Sequence, residues 1–497
     1  MPTKSFSGEI VVASRIVDYL SSGLYESPAA CLKELVNNAF DADATKVHIY
    51  VKPDANRIII EDNGHGLSKS EFIRHFSRIS ESHKRDDGEL TIGKRKKIGK
   101  IGIGFVAANE ICDEMEIYST KKGEEEMLVV TINFANMRSD PVTRRRKGDE
   151  IAKGDYTGTV EKAEKGAHFT KIFLKSVRGE AKTILAGARR SFDQHELVSL
   201  YGFSAETVNS LLSRKDLQSW DRFDAYSQTM LKIGLNVPVR YHNHWLLADL
   251  QACVRSFQKH VERLNFAVFY DGTELRKPAV LFPHGKSAVI ETFTLEGKNV
   301  SAQGYFYAQH GAIRPQELNG LLIRIRNAAV GEYDKTFLGF PITEGTLFQR
   351  WISMEIWADD RLEDAMNIDR KTLRAAHPAY AEMQLLLHDQ LSKFLRQVRT
   401  ELWREESESR RRLQVKDEVE KLRESLLLKF GERSEKDVDA IIGPWIEAAA
   451  GEKGRKKLLR KLSLPEVYQA VSDVAAEILD KKELKALLLN LSKRLQR

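Results

Sequence analysis

The run Glu34-Leu35-Val36-Asn37-Asn38-Ala39-Phe40-Asp41-Ala42 constrains this chain more than any other stretch of it. It spaces a carboxylate, an amide and a second carboxylate at i, i+4 and i+7, which a helix of 3.6 residues per turn places on one face. Leu32, Leu35, Val36 and Ala39 supply the opposite, apolar side. Such a helix can aim Glu34, Asn38 and Asp41 into one cavity as a base, a metal-ligating oxygen and a further polar anchor. The same stripe also suits the solvent face of an ordinary amphipathic helix. The nonapeptide alone leaves both readings open.

Three later motifs bear on the choice. Arg57-Ile58-Ile59-Ile60-Glu61 reads as a buried strand running into Asp62-Asn63-Gly64-His65-Gly66-Leu67, where two glycines let the backbone turn tightly and approach a ligand. A plain hairpin closure would use the same turn. Gly99-Lys100-Ile101-Gly102-Ile103-Gly104-Phe105 leads into the helix-like Val106-Ala107-Ala108-Asn109-Glu110. Glycines ahead of a helix N-terminus expose N–H groups where an anion can sit. The spacing is neither that of a GxGxxG dinucleotide turn nor that of a GxxxxGK[ST] loop. Gly166 to Leu174 is strand-like with Thr170 as its only hydroxyl, which β-propensity alone would explain.

In this order and spacing the motifs resemble the Bergerat ATP-binding fold of DNA gyrase, the ninety-kilodalton heat-shock chaperone, histidine kinases and MutL. The resemblance implies an α+β protein whose residues 1–178 form an α/β sandwich that binds ATP and Mg2+. It assigns Glu34 as the general base orienting water toward the γ-phosphate, Asn38 as the Mg2+ ligand, and Asp41 as support on the nucleotide side. Asp62 would accept from the adenine amino group, with Thr170 assisting at the same ring, while Gly64 and Gly66 leave room for the base. Gly99, Gly102 and Gly104 would form the lid hinge and phosphate cradle, with Lys100 and Phe105 among the nucleotide contacts. These residue types suit the chemistry. Mg2+ takes oxygen ligands and keeps several waters, and phosphoryl transfer needs positioning more than covalent steps.

Leu67 to Gly99 would then be the lid, and its segment Phe76 to Lys84 resembles the Ser/Lys-bearing lid of the chaperone and MutL branches, which brings Lys84 to the nucleotide. The cluster Lys94-Arg95-Lys96-Lys97 reads either as a solvated basic loop or as a device that attracts phosphate or a partner. His65 and His83 lack a metal-ligand partner at a diagnostic spacing.

Residues 179–235 read as a helical connector, and strand signals return over 236–385, including Phe266 to Thr273 with its Asp-Gly turn. Alternation along Gly320 to Asn327 puts Leu322, Arg324 and Arg326 on one face. Glu355 to Leu373 resembles the chaperone's middle domain, a transducer-like α/β unit whose loop arginine reaches the γ-phosphate. The resemblance makes that residue Arg370, a transition-state cation. Surface pairing with Asp369 or Glu363 is the alternative, with Lys335 or Lys371 as substitutes. Residues 386–497 read as helical, and their apolar spacing suits a coiled coil or a partner-binding helix.

The 497 residues hold three cysteines, Cys31, Cys112 and Cys253, with no CxxC, as expected in a reduced, cytoplasmic setting. No apolar run approaches membrane-spanning length. The net charge of +7 is small for this length and hints only weakly at nucleic acid. The expected function is an ATP-driven conformational clamp acting on a protein client, slow in turnover and homodimeric, with Phe6 to Leu20 as the exchanged segment. A DNA clamp using Arg144-Arg145-Arg146 and Lys456-Lys457, or a nucleotide-sensing scaffold, are the rival readings.

Overall fold

Ser27 starts the first helix among the described residues. Its backbone is extended, its hydroxyl accepts the Ala30 N–H, and Pro28 fills the first turn, so α1 (Pro28–Asp41) begins with its exposed donors met. The computed structural model describes residues 27–51, 56–76, 90–99, 107–138, 156–187, 197–214, 216–242, 264–278, 288–341, 349–367, 370–430, 439–440, 443–444, 446–447 and 464–495. The chain divides into two units, 1–398 and 399–497.

The first unit holds two sheets. Strands β1 (Lys46–Tyr50), β2 (Ile58–Asp62), β3 (Cys112–Thr120), β4 (Glu126–Asn133), β5 (Tyr156–Lys162), β6 (Phe169–Val177), β7 (Ala267–Tyr270) and β8 (Thr273–Glu274) make an eight-stranded sheet of order β5-β4-β3-β6-β2-β1-β7-β8. Apart from β1 and β7, which run parallel, neighbouring strands are antiparallel. The alternation expected of a half-covered sheet is present. Val47 and Ile49 of β1 and Ile58 and Ile60 of β2 are buried, in one core with Leu32, Leu35 and Val36 of α1. His48 and Tyr50 point to the other face, where His48 stacks on Phe269 at 4.8 Å.

Helices α2 (Lys69–Phe76), α3 (Ala108–Ile111), α4 (Phe134–Arg138), α5 (Gly179–Ala186), α6 (Ala205–Leu212) and α7 (Ala225–Asn236) also belong to this unit. Helix α7 lies against both α1 and α5. The strand read from the Phe266 segment therefore joins the first sheet rather than a second one, because Ala267 to Tyr270 register on Lys46 to Ile49.

The second sheet has the order β12-β11-β13-β10-β9. It comprises β9 (Ala288–Glu296), β10 (Ser301–Gln309), β11 (Gly320–Ile325), β12 (Ala328–Asp334) and β13 (Ile352–Ala358). Arg324 and Glu355 are fully buried together, with Nε to Oε2 at 2.5 Å, and the Tyr241 hydroxyl donates to the same carboxylate at 2.7 Å. Arg324 also donates to the Leu235 carbonyl at 3.0 Å, and Lys277 donates to that of Val237. Two side-chain donors, one of them the Arg324 guanidinium, thus meet the carbonyl end of α7, the end where a helix favours positive charge. Burial, with Arg324 nearby, pulls the Lys277 amine well below the ordinary lysine range.

Helix α8 (Pro378–Phe430) begins in this unit. Its Met383, Leu387, Leu391, Phe394 and Val398 are buried, and the Phe394 ring stacks on Phe306 at 4.8 Å. Phe394, one member of the apolar repeat that suited a coiled coil, thus packs on the protein's own second sheet. Helices α9 (Leu464–Ile478) and α10 (Lys481–Leu495) lie in the second unit and pack on each other. No helix among the described residues is long and apolar enough to cross a membrane.

Candidate functional site

The end of α1 and the turn after β2 are built against each other. The His65 N–H donates to the Ala42 carbonyl at 2.9 Å, and a Cβ on Gly64 would stand 2.7 Å from that same oxygen. Gly66 has φ +76°, and a Cβ there would fall 1.9 Å from the Thr120 carbonyl oxygen. Both glycines are therefore demanded by close approach, and Gly66 by its left-handed backbone as well.

Asp62 ends β2 buried beside this turn, with Oδ1 accepting the Gly64 N–H at 2.8 Å. Burial pushes its carboxyl up to about 7, against the lowering effect of the Gly64 hydrogen bond. A buried carboxyl displaced in this way marks a candidate functional group. Thr170 is its cross-strand partner on β6, and the Thr170 hydroxyl lies 3.0 Å from Ser119 Oγ. Ser119 itself donates to the Phe169 carbonyl at 3.0 Å and accepts from Leu67 N–H at 2.8 Å. Beside it, Thr120 Oγ1 is buried and has no hydrogen-bond partner among the described residues. The sequence reading missed Ser119 and Thr120. Their signal was two adjacent hydroxyls closing a strand whose inward positions are otherwise apolar.

On α1, Glu34 is buried, and its Oε1 takes no hydrogen bond from the described residues. Its neighbour Lys33 is buried too, with Nζ at 3.9 Å from that oxygen. Asn38 lies half-buried one turn on. Asp41 faces the start of the glycine-rich segment, where its two oxygens accept the Ile98 N–H at 2.7 Å and the Gly99 N–H at 2.9 Å. Asp41 thus holds the entry of that loop.

Among the described residues no group of three or more His, Cys, Asp or Glu side chains could hold a metal ion. Asn38 beside Glu34 fits a Mg2+ that arrives with phosphates and needs little from the protein. The Cys31 thiol on the same helix is raised well above its usual range, first by burial and then by surrounding carboxylates, and has the character of a packing group.

Lys94 and Lys96 of the basic cluster are exposed, while Arg95, Lys96 and the Lys97 carbonyl make specific contacts. Arg95 donates to the Ala44 carbonyl at 2.6 Å and lies over the Phe40 ring, 4.9 Å from its centroid. Lys96 pairs with Asp360 at 2.7 Å. Arg326 donates to the Lys97 carbonyl, and Arg370 Nη1 donates to the Ile98 carbonyl at 2.5 Å. Arg370 is buried and lies 3.9 Å from Glu363. Lys371 acts electrostatically on Cys31, so it too stands near α1, whereas Lys335 is exposed.

The structure thus brings Glu34, Asn38, Asp41, Gly99 and Arg370 to one helix and loop entry, and Asp62, Gly64, Gly66 and Thr170 to the turn beside its end. Lys84, His83, Lys100, Gly102, Gly104, Phe105, Asp369, Cys253, the Phe6–Leu20 segment, Arg144-Arg145-Arg146 and Lys456-Lys457 lie outside the described residues.

A helix carrying Glu and Asn, laid on a mixed sheet beside an Asp-x-Gly-x-Gly turn, defines an ATP-binding sandwich of the Bergerat class. The comparisons agree. Residues 25–166 match the family described as histidine kinase-, DNA gyrase B-, and HSP90-like ATPase, consistent with a Bergerat ATP-binding unit in that part of the chain. It is 25% identical over 414 residues to a Herpetosiphon aurantiacus protein described as a candidate type II restriction enzyme, HgiDII, covering 82% of this chain and 59% of that one. It is 26% identical over 242 residues to the chaperone protein HtpG of Chromobacterium violaceum, covering 42% of this chain and 34% of that one. The chain therefore spans well under two thirds of the length of either relative.

Proposed function

We propose that the protein is a slow, Mg2+-dependent ATP hydrolase that works as a conformational clamp on a protein partner. The observation that carries this reading is the Arg370 contact with the Ile98 carbonyl, which puts a cation of the second sheet's domain at the entry of the phosphate loop. Asp62 binds the adenine amino group, with the Thr170 hydroxyl at the same ring. Glu34, whose buried Oε1 has no hydrogen bond from the described residues, orients the attacking water and takes its proton. Asn38 would hold the Mg2+, which would supply charge neutralisation to the phosphates. Arg370 shifts from the loop carbonyl to the γ-phosphate as charge develops there.

Two measurements test this. Arg370→Ala is expected to lower kcat about a hundredfold or more, the scale of a lost transition-state cation, with ADP affinity unchanged because ADP lacks the group contacted. Equal weakening of ATP and ADP binding would withdraw the role. For the clamp, light scattering should detect a more compact homodimer when a non-hydrolysable ATP analogue is added. An unchanged mass and radius removes the clamp. A pull-down with Glu34→Ala held in the ATP state identifies the client.

A second reading rests on the similarity to HgiDII, which extends over 82% of this chain. In it the same ATP-driven closure acts on DNA. Salt-sensitive binding of duplex DNA that strengthens with the analogue would favour it over a protein client. Either activity fits a cytoplasmic protein.

A further inference from the structure

The nine residues from Thr91 to Gly99 are held from two sides. On the ATPase side, Asp43 takes the Thr91 hydroxyl at 2.5 Å and the Gly93 N–H at 2.7 Å, and Asp41 takes the N–H groups of Ile98 and Gly99. On the other side stand Asp360, Arg326 and Arg370. Arg326 sits at the centre of that second group. Its Nε donates to Asp360 Oδ1 at 2.9 Å, its Nη2 lies 2.9 Å from Glu363 Oε2, and its Nη1 donates to the Lys97 carbonyl. Asp360 in turn pairs with Lys96. Burial pushes the Asp360 carboxyl up, but hydrogen bonds from Lys96 and Arg326 outweigh it and hold the group below the ordinary range.

Both arginines that reach the loop occupy left-handed backbone, Arg326 at φ 53° and Arg370 at φ 53°. Such residues persist only where the surroundings over-determine them. A guanidinium is needed because one planar fork meets two carboxylates and a carbonyl at once, which an ammonium on a flexible stem does not.

We propose that Arg326 is a positioning residue for the phosphate loop: it fixes the Lys97 carbonyl against the Asp360–Glu363 pair, so that the second sheet's domain sets the loop's entry geometry. It acts through Lys97 and touches no substrate. The role deepens the ATPase reading and rests on it. Without this grip Asp41 on the Ile98 and Gly99 amides and Arg370 on the Ile98 carbonyl remain, but Lys97 is released and the loop samples positions in which its N–H groups miss the phosphates.

The test compares wild type with Arg326→Lys and Lys96→Ala. Arg326→Lys is expected to lower kcat about tenfold, the cost of a modest misplacement, while KM and ADP affinity stay at wild-type values. Lys96→Ala, which removes one of the two cations on Asp360, should act in the same direction and less strongly. In both variants, amide hydrogen exchange at Ile98 and Gly99 should quicken without any nucleotide present. Should Arg326→Lys melt early, Lys96→Ala decides, since the Lys96 side chain is 58% exposed and its loss leaves the core intact. Wild-type kcat and wild-type exchange in both variants overturn the role of Arg326 alone. A wild-type protein that binds no ATP overturns the functional reading instead, and the exchange measurement still reports whether the loop is gripped.

Discussion

Glu34→Ala is expected to reduce ATP hydrolysis about a hundredfold or more, the usual contribution of a positioned general base, while ATP affinity stays within about twofold. The expectation comes from its setting. The carboxylate is buried on the inner face of α1, and its Oε1 accepts no hydrogen bond from the described residues. The lone pairs of that oxygen are therefore available to a water, and Lys33, at 3.9 Å, does not occupy it by a hydrogen bond. Single-turnover hydrolysis alongside a titration with a fluorescent nucleotide reads both quantities. Hydrolysis at the wild-type rate would end the assignment.

Asp62→Asn is expected to weaken nucleotide binding about 10- to 100-fold, the 1–3 kcal/mol cost of leaving a buried donor unmet. Oδ1 is committed to the Gly64 N–H, so the asparagine amide would turn its NH2 toward the adenine amino group, donor against donor. The same carboxyl predicts a pH dependence. Burial raises it from 3.8 to about 7, so between those limits the folded, nucleotide-free protein holds a proton that the unfolded chain has released. Its contribution to stability is therefore fully present at low pH and is lost as pH rises through about 7. Nucleotide binding runs the other way, because Oδ2 must lose that proton before it can accept. Wild-type affinity for ADP should fall about tenfold for each pH unit below 7, and that of Asp62→Asn should stay flat. A flat wild-type profile from pH 5 to 8 would place the adenine elsewhere.

What the sequence made legible was local. A helix with Glu34, Asn38 and Asp41 on one stripe is dictated by periodicity, and the Gly64 and Gly66 turn by the backbone conformations that only glycine takes easily. What it hid was contact between distant segments. Lys94 to Lys97 looked like a charge run because nothing nearby in sequence announces that Ala44, Asp360 and Arg326 are waiting for it. Arg326 was misplaced for a definite reason. Alternation along β11 puts it on the face of Arg324, but the strand ends at Ile325, and the left-handed Arg326 and Asn327 reverse the chain there. A turn of that kind ordinarily advertises itself with Asn-Gly or Gly-Gly, and here neither is present. The pairing of β7 with β1 was invisible for a related reason: a parallel partner is not set by any hairpin, so neither its identity nor its register is written locally.

That pairing bears on how the protein can be divided. The ATPase sheet is completed by Ala267 to Tyr270, far beyond the last strand that carries a nucleotide motif. A fragment ended anywhere between Val177 and Ala267 would strip β1 of its neighbour and leave the backbone groups of Lys46 to Ile49 open to solvent. Bare edges of this kind recruit strands from other chains, so such a fragment would be sticky for reasons unrelated to its chemistry. Asp62 lies on β2, next to that edge. The smallest piece of this chain that keeps β1 paired on both sides therefore includes β7, and binding studies on anything shorter would measure a damaged sheet.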